Sequence, residues 1–276
     1  MKRRVPIALP GVWLALVVAL SLFAPILAGH NPLQPVADPL SPPSAGAPLG
    51  TDSLGRDLWS RMLFGGRLSL GASVLAVSLT ILAGGVAGLA AAMAGGWADR
   101  AIVWIANSAL AIPGLLLAML LVAAIGPGFP AVVLAVGVGG APGFARLARS
   151  VFLQVKQDGF IAATAALGAD PLWIAIRHIL PNSRPQLVSI MATHYAWALM
   201  GTITLTFLGL GGDPSVPEWG AMLNAGRVDL IGAPWAALWP ALAISLTVLS
   251  VHAIADAIGR SSATARRSEL ETRDRA

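Results

Sequence analysis

Residues 158–185 read DGFIAATAALGADPLWIAIRHILPNSRP, and this stretch decides how the rest of the chain is understood. Phe160, Ala163 and Leu167 follow one helical face, and Leu172, Ile176, Ile179 and Leu180 follow a second. Gly168 between them suits the left-handed conformation that ends a helix. Asp170 is placed to cap the next helix, with Pro171 at its first position, where no N–H is needed. The segment carries Asp158, Asp170, Arg177 and Arg184 between two amphipathic helical patterns, and long apolar runs flank it. A chain that keeps such a hairpin outside a bilayer uses it to dock a partner.

The flanking runs place the chain in a membrane. Of 276 residues, 56% are hydrophobic and 11% charged, and the mean hydropathy is +0.75. Soluble domains carry about 25% charged residues. Apolar runs near the ~20 residues needed to cross a bilayer predict an all-α protein with six spans, at 9–28, 68–94, 101–125, 129–147, 187–210 and 236–258. The Gly126-Pro127-Gly128 turn separates the third from the fourth. Pro113 and Pro142 should kink or break the spans that hold them. Gly84 and Gly88 form a GxxxG pair suited to close helix packing.

Charge sets the orientation. With both termini inside, fourteen of the eighteen Lys and Arg residues are cytoplasmic, and only Arg56, Arg61, Arg67 and Arg227 lie outside. That is the positive-inside pattern. The net charge of +5 therefore reports topology and does not point to nucleic acid. Lys2-Arg3-Arg4 ahead of the first run resembles a signal peptide, but the run is too long for a signal h-region, so an uncleaved first helix is expected. The organisation predicted is a cytoplasmic N-terminus (1–8), a transmembrane domain (9–260) and a polar, partly disordered cytoplasmic tail (261–276). The domain carries an external segment at 29–67 and a cytoplasmic loop at 149–185.

Outside the membrane, residues 30–48 are proline-rich and read as an extended connector. Leu54, Leu58, Met62 and Phe64 then suggest a short helix on the outer membrane surface, with a solvated loop as the alternative. Trp219, Trp235 and Trp239 fit an interfacial belt.

Motifs for chemistry on this chain are missing. There is no P-loop, HExxH or GxSxG sequence, and cysteine is absent. The four histidines are scattered, so no metal site is expected. His194 reads as a hydrogen-bonded structural residue of span five rather than part of a solute path. Asp256 is the only acid within a span, which disfavours an ion-coupled carrier. A membrane enzyme would need convergent polar groups in the spans. Uphill transport would need energy from elsewhere.

Three blocks supply a resemblance. FIAATAALGADPLWIAIRHILPN resembles the "EAA" loop of binding-protein-dependent ABC importer permeases. LGTDSLGRDLWSRMLFGGRLSLG (49–71) and TFLGLGGDPSVPEWGAMLNAGR (206–227) narrow it to the second permease of dipeptide, oligopeptide and nickel importers. The resemblance implies the ABC importer permease fold in a bacterial inner membrane. It implies a heterodimer with a homologous permease, two cytoplasmic ATPases carrying ATP and Mg, and an extracytoplasmic solute-binding protein. No cofactor is implied on this chain.

By the same resemblance, Ala162, Ala163, Gly168, Asp170, Pro171, Ile179, Leu180 and Pro181 couple to the ATPase. Gly50, Thr51, Asp52, Gly55, Arg56, Asp57, Glu218 and Trp219 are where binding-protein docking or gating is expected. Small peptides are the expected cargo, with nickel or a nickel chelate as the alternative. The chain departs from the pattern at four positions. Ala162 stands for the loop's leading glutamate and Thr164 for its second alanine, and Asn107 and Thr202 stand where acids are frequent.

Overall fold

Capping groups, glycines and prolines cut the apolar sequence into helices, and the computed structural model describes the backbone of residues 8–273 and the side chains of residues 8–259. Lys2, Arg3 and Arg4 lie outside the described residues, as do the side chains of the polar tail. The architecture is all-α. In order come α1 (Ala8–Leu22), α2 (Ala24–Leu27), α3 (Leu58–Ala94), α4 (Gly96–Leu110), α5 (Gly114–Ile125) and α6 (Phe129–Lys156). Then follow α7 (Gly159–Ala166), α8 (Pro171–Ile174), a π turn (Ala175–Ile179), α9 (Leu180–Phe207), α10 (Trp219–Gly226) and α11 (Trp235–Arg273).

Among the described residues, α3, α6 and the Trp235–Gly259 part of α11 are long and apolar enough to cross a membrane. The expected third span is broken: α4 and α5 meet at 89° around Pro113. Pro113 forces that break because it has no N–H to give α4 and fixes its own φ. Pro142 acts differently, since α6 runs through it unbroken for 28 residues. The first expected span is a 15-residue helix followed, after Phe23, by the single turn of α2. The fifth, α9, has the length but carries His194 and four threonines, which lower its apolarity. The last helix continues to Arg273, where a partly disordered tail was expected from about residue 261.

The external segment also departs from expectation. No separate surface helix forms at 54–64. Asp57 caps α3 directly, accepting from the Trp59 and Ser60 amides at 3.2 and 3.0 Å, and the helix runs 37 residues without a break. Leu58 is buried in it and Leu54 lies exposed before it. The proline-rich stretch is no extended connector either. It folds back on residues 50–57 through Val36 N to Gly55 O (2.8 Å), Leu40 N to Asp52 O (3.0 Å) and Thr51 N to Ser41 O (3.0 Å). Prolines lack the donor for a regular ladder, so these isolated pairings replace a strand.

The centre of the bundle is α3 against α6. Alanines and valines of both helices (Ala72, Ala76, Val132, Val136) pack with Ala198 and Leu205 of α9. Close approach needs glycine here: a Cβ on Gly84 would sit 2.5 Å from the Ala141 carbonyl, and one on Gly88 2.6 Å from that of Ala145. The GxxxG pair thus packs within this chain, α3 on α6. A second core joins α1, α3, α9, α10 and α11 around Leu58, Leu199, Ile203 and Trp219.

Candidate coupling hairpin and external brace

Local chemistry builds the hairpin at 158–185. Helix α7 ends at Ala166 with Leu167 as its cap, and Gly168 follows with φ +84°, its amide on Ala165 O at 3.0 Å. A residue with a Cβ disfavours that φ, although the space around Gly168 is open. The Asp170 carboxylate then accepts from the Leu172 and Trp173 amides at 2.8 and 3.1 Å, with Pro171 at the first helical position. The second arm does not stop. It passes through the π turn at Ala175–Ile179 into α9, so the hairpin is continuous with a span expected to begin only at 187. Pro181 accounts for the widened turn, because its ring collides with the carbonyl four residues back in a regular helix. Asn182 Nδ2 donates instead to His178 O (2.6 Å), and Ser183 Oγ to Ile179 O (2.7 Å).

Burial divides the hairpin differently from its helical periodicity. Ile161, Ile174, Ala175 and Ile179 are buried against Phe144, Ala148, Phe152 and Val155 of α6 and Ala92 of α3. Leu167 (89% exposed), Leu172 (65%), Ile176 (58%) and Trp173 (49%) point outward, and Phe160 and Leu180 are exposed with them. Ala162, Ala163, Gly168, Asp170 and Pro171 share this exposed surface, Pro181 is half-buried, and Ile179 alone of the expected coupling residues is fully buried. Only tertiary partners distinguish the two sets.

Two features of the site escaped the sequence reading. His178 lies edge-on between Trp173 (ring centroids 4.9 Å) and Phe160 (6.0 Å). Trp173 and His178 are five residues apart, a spacing that a π turn brings together and an α-helix does not. Pro181, four residues beyond Arg177, was the available signal. The second feature is a pair of clamps. Lys156 Nζ donates to the carbonyls of Ala92 (2.7 Å) and Met93 (3.3 Å) at the end of α3. Arg149 grips Asp99 at the start of α4 with two donors. In the sequence alone both cations mark only topology.

The second candidate cluster comes together from distant blocks. Asp52 Oδ2 accepts from Arg56 Nε (2.7 Å) and pairs with Arg61 Nε (3.3 Å). Arg61 also donates to Pro32 O (2.8 Å) and Ser215 O (3.1 Å), stitching residues 32–61 to the loop ahead of α10. Glu218 caps α10 through the Ala221 amide (3.0 Å) and accepts from Ser69 Oγ of α3 (2.5 Å). Burial raises its carboxyl against the hydrogen bonds from Ser69, Thr206 and the Ala221 and Gly220 amides.

Gly50, Thr51, Asp52, Gly55, Arg56, Asp57, Glu218 and Trp219 are all buried. Their polar side chains brace residues 50–61 against the loop ahead of α10. Trp219 is not in an interfacial belt, since it is 2% exposed and donates Nε1 to Met62 O (3.0 Å). His194 also differs from expectation. Its Nδ1 is buried with no hydrogen-bond partner among the described residues, and the ring packs edge-on to Phe144 at 5.2 Å.

Among the described residues, membrane-length helices thus carry a capped hairpin with an apolar exposed face and a buried, braced polar cluster. The family described as binding-protein-dependent transport system inner membrane component matches residues 81–264. The chain is 43% identical over 216 residues to the glutathione transport system permease protein GsiD of Pectobacterium atrosepticum, covering 78% of this chain and 72% of that protein. It is 43% identical over 209 residues to GsiD of Shigella flexneri, covering 76% and 69%. A chain of the MetNI methionine ABC transporter, solved in inward facing conformations, superimposes with a TM-score of 0.62 at 19% identity, over 74% of this chain and 97% of that one. The chain belongs to the binding-protein-dependent inner membrane component family and is an ABC importer permease of the dipeptide/oligopeptide type. As such it is a transport subunit of the inner membrane that works with another permease, ATPases and a binding protein.

Proposed function

We propose that the chain forms half of a translocation pathway for di- and oligopeptides and couples it to ATP hydrolysis through residues 158–185. The observation that carries the coupling is the exposed apolar ridge of Leu167, Leu172, Trp173 and Ile176, mounted on buried Ile161, Ile174 and Ile179. An exposed apolar patch of this kind marks a protein interface. Its rigid mounting on α3 and α6 lets a push on the ridge reach the spans. Ala162 in place of the loop glutamate makes this contact more apolar, with the Phe160, His178 and Trp173 rings filling the surface. The partners in this reading are two ATPases holding ATP and Mg, a homologous permease completing the pore, and a solute-binding protein outside.

Peptide cargo is supported by relatives named as glutathione permeases, glutathione being a tripeptide. The braced external cap serves as a fixed ledge, and docking falls to the exposed rim at Leu54, Val228 and Ile231 rather than to the buried cluster. The test is ATP-driven uptake by the complete importer in proteoliposomes, with dipeptide, glutathione and nickel offered separately. Leu172→Asp should abolish uptake and ATPase co-purification while leaving membrane insertion normal. ATPase binding that survives this variant overturns the coupling role, and uptake of nickel alone overturns the peptide assignment.

A further inference from the structure

Helices α4 and α5 reach the length and apolarity of a membrane span only as a pair, and their 89° elbow at Pro113 lies in the middle of that pair. A Cβ on Gly143 would lie 4.0 Å from Leu110 Cδ2, and one on Gly114 3.6 Å from Trp197 Cζ2. The same indole reaches Gly140, where a Cβ would lie 3.1 Å from Cζ3. Gly140 and Gly143 flank the midpoint of the 28-residue α6, so the elbow sits at mid-height of a helix long and apolar enough to cross a membrane.

The elbow leaves acceptors free. The Ala111 and Ile112 amides turn back to the carbonyls of Asn107, Ser108 and Ala109. Pro113 has no N–H, and no donor among the described residues reaches the carbonyls of Leu110, Ala111 or Ile112. Asn107, on the same helical face as Leu110 and Ala111, is exposed, and its carboxamide has no partner among the described residues. Residues 110–116 are all exposed on this chain. Irregular backbone at membrane depth survives only where it lines water or is buried in protein. Water in a solute path satisfies these carbonyls without a fitted partner.

Carbonyls at the end of a helix carry negative partial charge, which attracts a cation. Trp197, 44% exposed, stands beside them, and its ring adds a further attraction for an ammonium group. Among the described residues no cluster of His, Asp or Glu stands here to hold a metal ion. A primary ammonium brings three N–H donors to the free acceptors. We propose that the elbow is a site on the solute path for the protonated amino end of a peptide, held by the free carbonyls and Asn107 Oδ1 beside the Trp197 ring. This rests on the peptide reading above and names the end of the peptide that the permease engages. Without a fixed carboxylate the hold is weak, as passage requires.

A benzoylphenylalanine replacing Ile112, in the complete importer in proteoliposomes, probes the site during ATP-driven uptake of radiolabelled alanyl-alanine. Illumination should transfer label to the permease. With that probe in place, Asn107→Asp adds a fixed negative charge and should raise labelling about fivefold, and Asn107→Lys should lower it by a similar factor. Trp197→Leu should lower it about threefold, and Trp197→Phe, which keeps a ring, should lower it less. All variants share one binding protein, so these changes belong to the permease. A structural role for Asn107 would not change sign with the charge placed there. No label on the permease, labelling indifferent to that charge, or more label in Asn107→Lys than in Asn107→Asp overturns the proposal. So does a crosslink that reaches only the partner permease. No uptake of alanyl-alanine by the unsubstituted importer overturns the peptide reading instead.

Discussion

Ser69 Oγ donates to Glu218 Oε1 at 2.5 Å across 149 residues of sequence, and this bond joins the N-terminal part of α3 to the cap of α10. The same hydroxyl accepts from the Trp219 amide at 3.1 Å, so one serine holds both the cap residue and the first residue of α10. The joint sets the pH response of the external cap. Burial raises the folded-state carboxyl above its ordinary value of 4.5. Stabilisation from this group is therefore complete at acid pH, below its unfolded value, and is lost as pH rises through the raised folded value. Thermal unfolding of the purified importer should show the cap weakening from acid toward neutral pH. Glu218→Gln should flatten that dependence, and an unchanged slope in the variant would show that the pH response lies elsewhere.

Gly168 tests backbone against side-chain explanations of the hairpin. Its φ of +84° lies in open space, so a substituent meets no neighbour. A left-handed conformation costs a non-glycine residue about 1–2 kcal/mol, less for Asn and more for a β-branched side chain. Gly168→Val should lose ATP-driven uptake with insertion intact, and Gly168→Asn should retain most of it. Equal losses in the two would rule out the backbone account.

The α3–α6 contact tolerates no methyl group at Gly88, where a Cβ would lie 2.6 Å from the Ala145 carbonyl. Gly88→Ala should destabilise by about 1–3 kcal/mol, as overpacking does. Gly71, in the same helix, has nothing within 4 Å of a Cβ. Gly71→Ala should be neutral or slightly stabilising, since Ala exceeds Gly in helix propensity by about 1 kcal/mol. A comparison of melting temperatures decides it.

Lys156 closes the C-terminal end of α3 by donating to Ala92 O and Met93 O. Lys156→Met keeps the aliphatic stem and removes the donors, exposing those carbonyls at a cost of about 1–3 kcal/mol. Amide hydrogen exchange should rise at the C-terminal turn of α3 and at the start of α7, while the α3–α6 centre stays protected. Uniform protection would show that the clamp contributes nothing to anchoring the hairpin.

What the sequence determined by itself is what a few neighbouring residues decide. Gly168, Asp170 and Pro171 specify the hairpin bend because a positive φ, a cap and a missing N–H are local properties. Pro113 likewise breaks the third span wherever that span packs. Membrane placement follows from composition, and orientation was argued from charge. The tertiary structure decided everything that depends on a distant partner. Phe160, Leu172 and Ile176 and their buried counterparts Ile161, Ile174 and Ile179 are equally apolar, and only α3 and α6 determine which of them stay exposed. Leu58 and Met62 read as the start of a surface helix until Asp57 is seen to cap a single 37-residue helix. The expected docking residues, from Asp52 to Trp219, prove to be buried because Ser69 and Ser215 bring two remote blocks together. Side-chain periodicity shows that a face is apolar; what covers that face is set by chain topology, which local sequence does not encode.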